Sequence, residues 1–369
     1  MDAFLKWFWN EEFWLPKGVK FADFQNTADA IYAKPYEVYF MLGYAILLLC
    51  LRFCFEKLVA NPLATKLGIE NRIRTPPKKN VQLEAFYKTC KSPSDLQVAG
   101  AAKKADLEVK QVMRWLRRRR NADRSNLRKK FAEASWRCFF YLCIFTFGMS
   151  ILLRAPWFWD GLESWKGYPQ PMWTSVYYYY MLEGGFYISL LFSVMRDVKR
   201  KDFYQQLIHH MATLILIVFS YSLNFVRVGT LVMAVHDVSD IFLEAAKSAS
   251  YAKKPKLADA LFTIFAVVFF ISRLGIMPYS VVHTTWIKMA AVLQPFPSYY
   301  MLNSTFFVLQ SLHIFWATII VRMAIRMWKS GGVEKDDRSD MEELSSEEEK
   351  NCEKKSNGHY CRDTVPNGH

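Results

Sequence analysis

The chain has 369 residues, 52% of them hydrophobic and 16% aromatic, with a formal net charge of +14. That is too apolar for a disordered chain. The apolar residues fall in separate windows of about 20, the length that crosses a bilayer, which excludes a single soluble core.

In chain order, residues 1–35 open with MDAFLKWFWNEEFW, which has neither the apolar core nor the cleavage site of a signal peptide. Trp7, Trp9, Phe13, Trp14 and Phe21 suit an interfacial anchor, or packing against neighbouring links. Spans are predicted at 36–54, 136–153, 174–195, 205–223, 228–246, 258–277 and 300–325. Between the first two, the stretch 55–135 carries twenty Lys and Arg against eight Asp and Glu. The later links alternate between basic (197–202, 247–257) and poor in Lys and Arg (154–173, 278–298). This positive-inside pattern places the N-terminus in the lumen and the C-terminus in the cytosol. Cys50, Cys54, Cys138 and Cys143 then lie in spans and Cys90, Cys352 and Cys361 on the cytosolic side, so no lumenal disulfide is expected.

Residues 67–128 read as a small cytosolic insert of three helices, Val81 to Lys91, Ser94 to Lys104 and Asp106 to Asn121. In the third, Val109, Met113 and Leu116 share a face, flanked by Trp115, with the arginines exposed. Trp115-Leu116-Arg117-Arg118-Arg119-Arg120 resembles homeodomain helix three. Arg118 stands where true homeodomains carry the adenine-reading Asn. Sequence-specific DNA is therefore not an expected partner; the arginines suit phosphates or an anionic membrane face.

From 131 to 332 the chain reads as membrane-embedded and carries the candidate site. Residues 199–247 hold a basic cluster and then ionisable groups in two consecutive apolar helices: His209 and His210, then His236, Asp237, Asp240 and Glu244. Such groups are costly in a bilayer and mark function. At about 1.5 Å per residue, His209 lies about 7 Å and Asp240 about 10 Å from the cytosolic end, the best match in depth. A His oriented by a carboxylate serves as a general base or a nucleophile. Glu183, Arg273, Asn303, Gln310 and His313 add a polar interior, with Gln310 and His313 on one helix face. Seven His, two of them in the tail and none in an H-x-x-H-H cluster, predict no metal.

The link TTWIKMAAVLQPFPSYY is apolar for a lumenal loop, with Ile287, Met289, Leu293 and Phe296. It reads either as the floor of a membrane cavity or as a loop resting in the interface. The tail 333–369 is acidic and reads as disordered. Ser339, Ser345 and Ser346 each precede an acidic residue by three positions, which suits an acidophilic kinase such as casein kinase 2.

Within 199–247, the K-R-K-D-F opening, the paired His, H-D-x-x-D and L-E-A-A-K resemble the Lag motif of the ceramide synthases, and 131–332 is similar to their TLC domain. The resemblance implies an all-α polytopic protein of the endoplasmic reticulum: seven transmembrane helices, six in a barrel around an intramembrane site, plus the homeodomain-like insert. It implies N-acylation of sphinganine or sphingosine by acyl-CoA, a co-substrate, with no cofactor. Membrane lipids and a homo- or hetero-dimer with related synthases are the implied partners. His209 would carry the acyl group, Asp240 would orient it, and His210, His236 and Asp237 would shape the site. Arg196, Lys199, Arg200 and Lys201 would meet the CoA phosphates; Glu183, Gln310 and His313 would line the substrate site. Residues 287–297 would bear on acyl length.

Overall fold

The computed structural model describes residues 7–28, 30–69, 77–90, 93–123, 126–194 and 202–330. Among them every regular element is helical. The chain divides into two compact units, one of residues 1–69, 130–197 and 202–337, the other centred on 70–129.

In the first unit, α1 (Phe40–Phe55) continues through a π-helical turn to Lys66. In the second lie α2 (Val81–Thr89), α3 (Asp95–Ala105) and α4 (Val109–Asp123). The first unit resumes with α5 (Leu127–Leu152), α6 (Thr174–Val194), α7 (Phe203–Ser222) and α8 (Val226–Tyr251). Last come α9 (Pro255–Phe269) and α10 (Pro297–Ser330).

The helices fall close to the seven expected spans. Five stretches are long and apolar enough to cross a membrane: Pro35–Lys66, Leu127–Leu152, Phe203–Ser222, Pro255–Val292 and Pro297–Lys329. The chain is thus a multi-pass membrane protein. α6 and α8 fall outside this group: α6 holds five tyrosines and Glu183, and α8 holds His236, Asp237, Asp240 and Glu244. The sixth span is longer than expected. Helix α9 widens to π-helical hydrogen bonding over Phe270–Val282 and Thr284–Lys288, then ends in Met289–Val292. Pro278 lies within the widened stretch, where its missing N–H would break an α-helical ladder. Much of the expected apolar loop is therefore helix.

Close approaches fix how these helices pack. A Cβ at Gly185 of α6 would stand 2.7 Å from the Tyr44 Cβ of α1, so the glycine lets the two backbones meet. α7 turns into α8 at Asn224, whose φ of 60° is left-handed, a conformation Asn tolerates. Its side-chain oxygen accepts the Gln170 N–H at 2.7 Å, which fastens the 154–173 link to the turn.

In the second unit, Asn80 caps α2 through the N–H groups of Gln82 and Leu83, and Ser94 caps α3 in a capping box with Gln97. The small core joins Leu83, Tyr87, Val98, Val112, Trp115 and Leu116. The buried face of α4 is thus Val112, Trp115 and Leu116, while Val109 and Met113 are exposed. This corrects the expected Val109–Met113–Leu116 face by about a fifth of a turn, Leu116 being common to both. Trp115 decides the rotation, because its indole N–H donates to the Lys78 carbonyl at 2.8 Å. Arg114, Arg117 and Arg118 are exposed, whereas Arg119 bonds Glu84 at 2.8 Å and lies over the Tyr87 ring.

Candidate functional site

The helical period places His209 and Thr213 of α7 one turn apart on one face, and the Thr213 hydroxyl donates back to the His209 carbonyl at 2.9 Å. The Asn224 turn sets α8 antiparallel to α7, which brings His236 to His209 with ring centroids 6.0 Å apart. α10 contributes His313, 6.4 Å from His209 and 5.0 Å from His236. All four histidines, His210 included, are buried.

His236 Nδ1 lies 2.7 Å from the Val232 carbonyl, so it carries a proton and donates. His236 Nε2 and His313 Nε2 are 3.1 Å apart, and the tautomer of His313 sets which ring donates. His313 Nδ1 lies 3.5 Å from the side-chain oxygen of Gln310. The expected Gln310–His313 face is therefore real. His209 Nδ1 is buried without a hydrogen-bond partner among the described residues. That leaves His209 without the orienting carboxylate expected for it.

Asp240 is paired, but with Arg273. The guanidinium Nη2 lies 2.9 Å from Asp240 Oδ1 and donates to the His236 carbonyl at 2.7 Å. This corrects the depth-based pairing of His209 with Asp240. A permanent cation from the widened stretch after α9 reaches the carboxylate and outcompetes a neutral imidazole. Arg273 is itself packed over Phe269, and its carbonyl accepts from Gln310 at 3.3 Å. Of the expected polar interior, Arg273, Gln310 and His313 thus join His236 and Asp240 in one network, while Glu183 and Asn303 stand outside it.

Glu183 of α6 and Asp237 of α8 are both almost fully buried, and none of their carboxylate oxygens has a hydrogen-bond partner among the described residues. Neither belongs to the cavity wall described below, so direct contact with a ligand there is not part of the observed geometry. His210 packs against Tyr187, ring centroids 5.9 Å apart. No group of three His, Cys, Asp or Glu among the described residues is set to hold a metal ion.

Trp316 and Asp202 lie outside the sequence-derived site. The Trp316 ring meets His209 edge-on at 5.3 Å, and its indole N–H donates to Asp202 Oδ2 at 3.1 Å. Asp202 immediately precedes α7 and is buried, a burial that a lone Asp in a basic opening did not signal. At the end of α8, Glu244 joins Lys247 at 2.6 Å and Arg137 at 3.4 Å. Arg196, Lys199, Arg200, Lys201, Ser339, Ser345 and Ser346 lie outside the described residues.

Running away from the histidines is a narrow apolar cavity. Thr213, Leu216 and Ile217 of α7, Met233 and His236 of α8, and Leu309 of α10 form its upper wall. Trp165, Phe225, Met289, Tyr299 and Leu302 form its other end. Of the four residues expected to bear on acyl length, Met289 lines the cavity and Phe296 is buried against Phe225, with rings stacked at 6.1 Å. Leu293 packs on the same apolar cluster, and Ile287 is 54% exposed. A chain-shaped apolar ligand would fit this space, with His236 in its wall.

Comparison with known proteins follows this geometry. The TLC domain family matches residues 130–322. Human ceramide synthase 5 is 42% identical over 346 residues, covering 93% of this chain and 88% of the relative. Human ceramide synthase 3 is 46% identical over 328 residues, covering 88% and 85%. Ceramide synthase hyl-1 of Caenorhabditis elegans is 38% identical over 225 residues, 58% of this chain and 61% of the relative.

Proposed function

The chain belongs to the ceramide synthase family, and from that premise we propose that it transfers the acyl group of a fatty acyl-CoA to the amine of sphinganine or sphingosine. The observation that carries this reading is the convergence of His209 and His313 on His236, which lines an apolar cavity.

The acyl chain occupies the cavity and the thioester lies at His209. The imidazole nitrogen attacks the thioester carbon, a tetrahedral intermediate forms, and the C–S bond breaks. CoA leaves as the thiolate and the acyl group remains on His209. The neutral sphingoid amine then attacks that carbon, the amide C–N bond forms as the bond to the imidazole breaks, and His209 leaves as imidazolium carrying the proton the amine lost, which passes to the thiolate. The Arg273–Asp240 pair supports this site through the His236 carbonyl, and Trp316 fixes the His209 ring. Direct attack by the amine with His209 as general base uses the same residues.

In this reading α6 and α8 also span the bilayer, giving seven spans in an endoplasmic reticulum membrane with the N-terminus lumenal and the C-terminus cytosolic. Arg196, Lys199, Arg200 and Lys201 then meet the CoA phosphates on the cytosolic side, and casein kinase 2 acts on the tail serines. The test is incubation of the purified full chain with palmitoyl-CoA and sphinganine. N-palmitoyl sphinganine identified by mass spectrometry supports the reading, and release of free fatty acid alone rejects it.

A further inference from the structure

The depth open to a chain that starts at the histidines can be read along the helices, His236 being the histidine that lines the cavity. On α10 the wall runs from Leu309 to Tyr299, with His313 one turn above Leu309. At about 1.5 Å per residue, Tyr299 lies about 21 Å from His313. On α8 the wall runs from His236 to Phe225 at the cap of the helix, about 16 Å by the same rise. On α7, Ser220 is the last lining residue, also about 16 Å from His209. An extended alkyl chain advances about 1.25 Å per carbon, given C–C bonds of about 1.52 Å and angles of about 111°. With the carbonyl carbon counted, these depths therefore hold about 14 to 18 carbons.

The far end is closed. Trp165, Phe225 and Tyr299 are 2%, 3% and 3% exposed, so each is covered on the side away from the cavity. Phe225 is held between Trp165 at 5.8 Å, Tyr168 at 5.0 Å and Phe296 at 6.1 Å. Three separate segments brace this floor. Tyr168 of the 154–173 link donates to the Leu223 carbonyl at 2.7 Å. Tyr299 donates to the Trp286 carbonyl at 2.6 Å. Ser298 donates to the carbonyl of Trp14, whose ring stacks on Phe219 at 4.6 Å, so the N-terminal segment is part of the brace. The Trp165 indole N–H, buried, has no acceptor among the described residues. Trp165 is thus held by shape alone, and shortening it breaks no hydrogen bond.

We propose that Trp165, backed by Phe225 and Tyr299, is the floor that sets acyl length, and that the cavity takes chains of myristoyl to stearoyl length while excluding behenoyl and longer. This inference rests on the ceramide synthase reading above. It places the length stop on the 154–173 link as well as on the 284–297 segment. A chain longer than the cavity must leave carbons unburied or push the floor aside, and a methylene in an apolar site is worth roughly tenfold or more in selectivity.

The experiment offers the full chain in lipid nanodiscs an equimolar mixture of lauroyl-, palmitoyl-, stearoyl-, behenoyl- and lignoceroyl-CoA with sphinganine, and reads the products by mass spectrometry. Palmitoyl and stearoyl amides are expected to dominate, with lignoceroyl amide at least about tenfold lower. Trp165→Ala and the milder Trp165→Leu are expected to raise the lignoceroyl-to-palmitoyl product ratio by about tenfold. A wild-type preference for lignoceroyl-CoA, or active Trp165 variants with an unchanged ratio, overturns the floor. Absence of amide with every acyl-CoA rejects the ceramide synthase reading instead. Depth is then read from thermal stabilisation by the same acyl-CoA series: a maximum at palmitoyl or stearoyl supports the floor, and a maximum at lignoceroyl overturns it.

Discussion

Arg273 and Asp240 form an ion pair 2.9 Å long, with side chains 4% and 19% exposed, and the same guanidinium holds the His236 carbonyl at 2.7 Å. Breaking a buried pair by removing one partner strands the other charge, whereas replacing both by apolar groups of similar volume is often neutral. Arg273→Met is therefore expected to destabilise the protein by about 3 kcal/mol, the lower end for buried pairs because Asp240 retains some exposure. The double variant Arg273→Met/Asp240→Leu should recover most of that loss. Thermal unfolding in detergent, followed by light scattering, checks both. A double variant no more stable than the single would show that the two residues do not act as a pair.

The helices were legible because each apolar window is closed by charged or turn-forming residues, and the site because His and Asp in such windows have few structural uses. What depth along the bundle could not supply was rotation about each helix. His209 and Asp240 match in height, yet Arg273 from the sixth predicted span takes the carboxylate. The same loss of angular information misplaced the core face of α4, where the Trp115 hydrogen bond sets the rotation. Asp202 and Trp316 stayed hidden because an Asp in a basic cluster and a Trp in a span both have ordinary surface and lipid-facing uses.

His209→Ala is expected to abolish acyl transfer while the protein remains folded, because the ring is held by packing and its Nδ1 makes no hydrogen bond among the described residues. Intact-mass measurement after exposure to palmitoyl-CoA alone should give one added acyl group in the wild type and none in the variant. Turnover near the wild-type rate in His209→Ala would remove His209 from the mechanism. A wild type that turns over but never gains the mass would favour direct attack by the amine.

Trp316→Phe keeps a ring beside His209 but removes the donor to Asp202 Oδ2, whose other oxygen is buried without a partner among the described residues. A hydrogen bond to a charged group contributes about 1.5 kcal/mol or more. If that contact fixes the His209 ring, kcat should fall about tenfold with KM little changed. Steady-state kinetics separates this from simple loss of packing, which would lower the amount of folded protein and leave kcat per folded molecule intact.

The exposed arginines of α4 include Arg118 at the position where a base-reading amide would be needed. Any DNA affinity of the full chain should be independent of sequence, and should fall steeply with salt as phosphate contacts release counterions. Selection from random duplexes, followed by sequencing, checks this. A reproducible enriched motif would contradict it.

The apolar segment between α9 and α10 is not uniform in its contact with the cavity. Met289 lines the wall and is 4% exposed, Phe296 stacks behind Phe225, and Ile287 is 54% exposed. A side chain can limit an acyl chain only where it faces that chain or braces one that does. Met289→Phe adds volume to the wall and should move the product profile toward shorter acyl chains. Phe296→Leu removes the stacked support of Phe225 and should move it toward longer ones. Ile287→Ala should change neither profile nor rate, since its side chain faces away. Transplanting the whole 287–297 segment from a relative of different preference should shift the profile through Met289 and Phe296, with activity retained. The product distribution from a mixed acyl-CoA pool reads all four. If Ile287→Ala shifts the distribution as far as Met289→Phe does, the segment acts from outside the cavity and the wall contact is incidental.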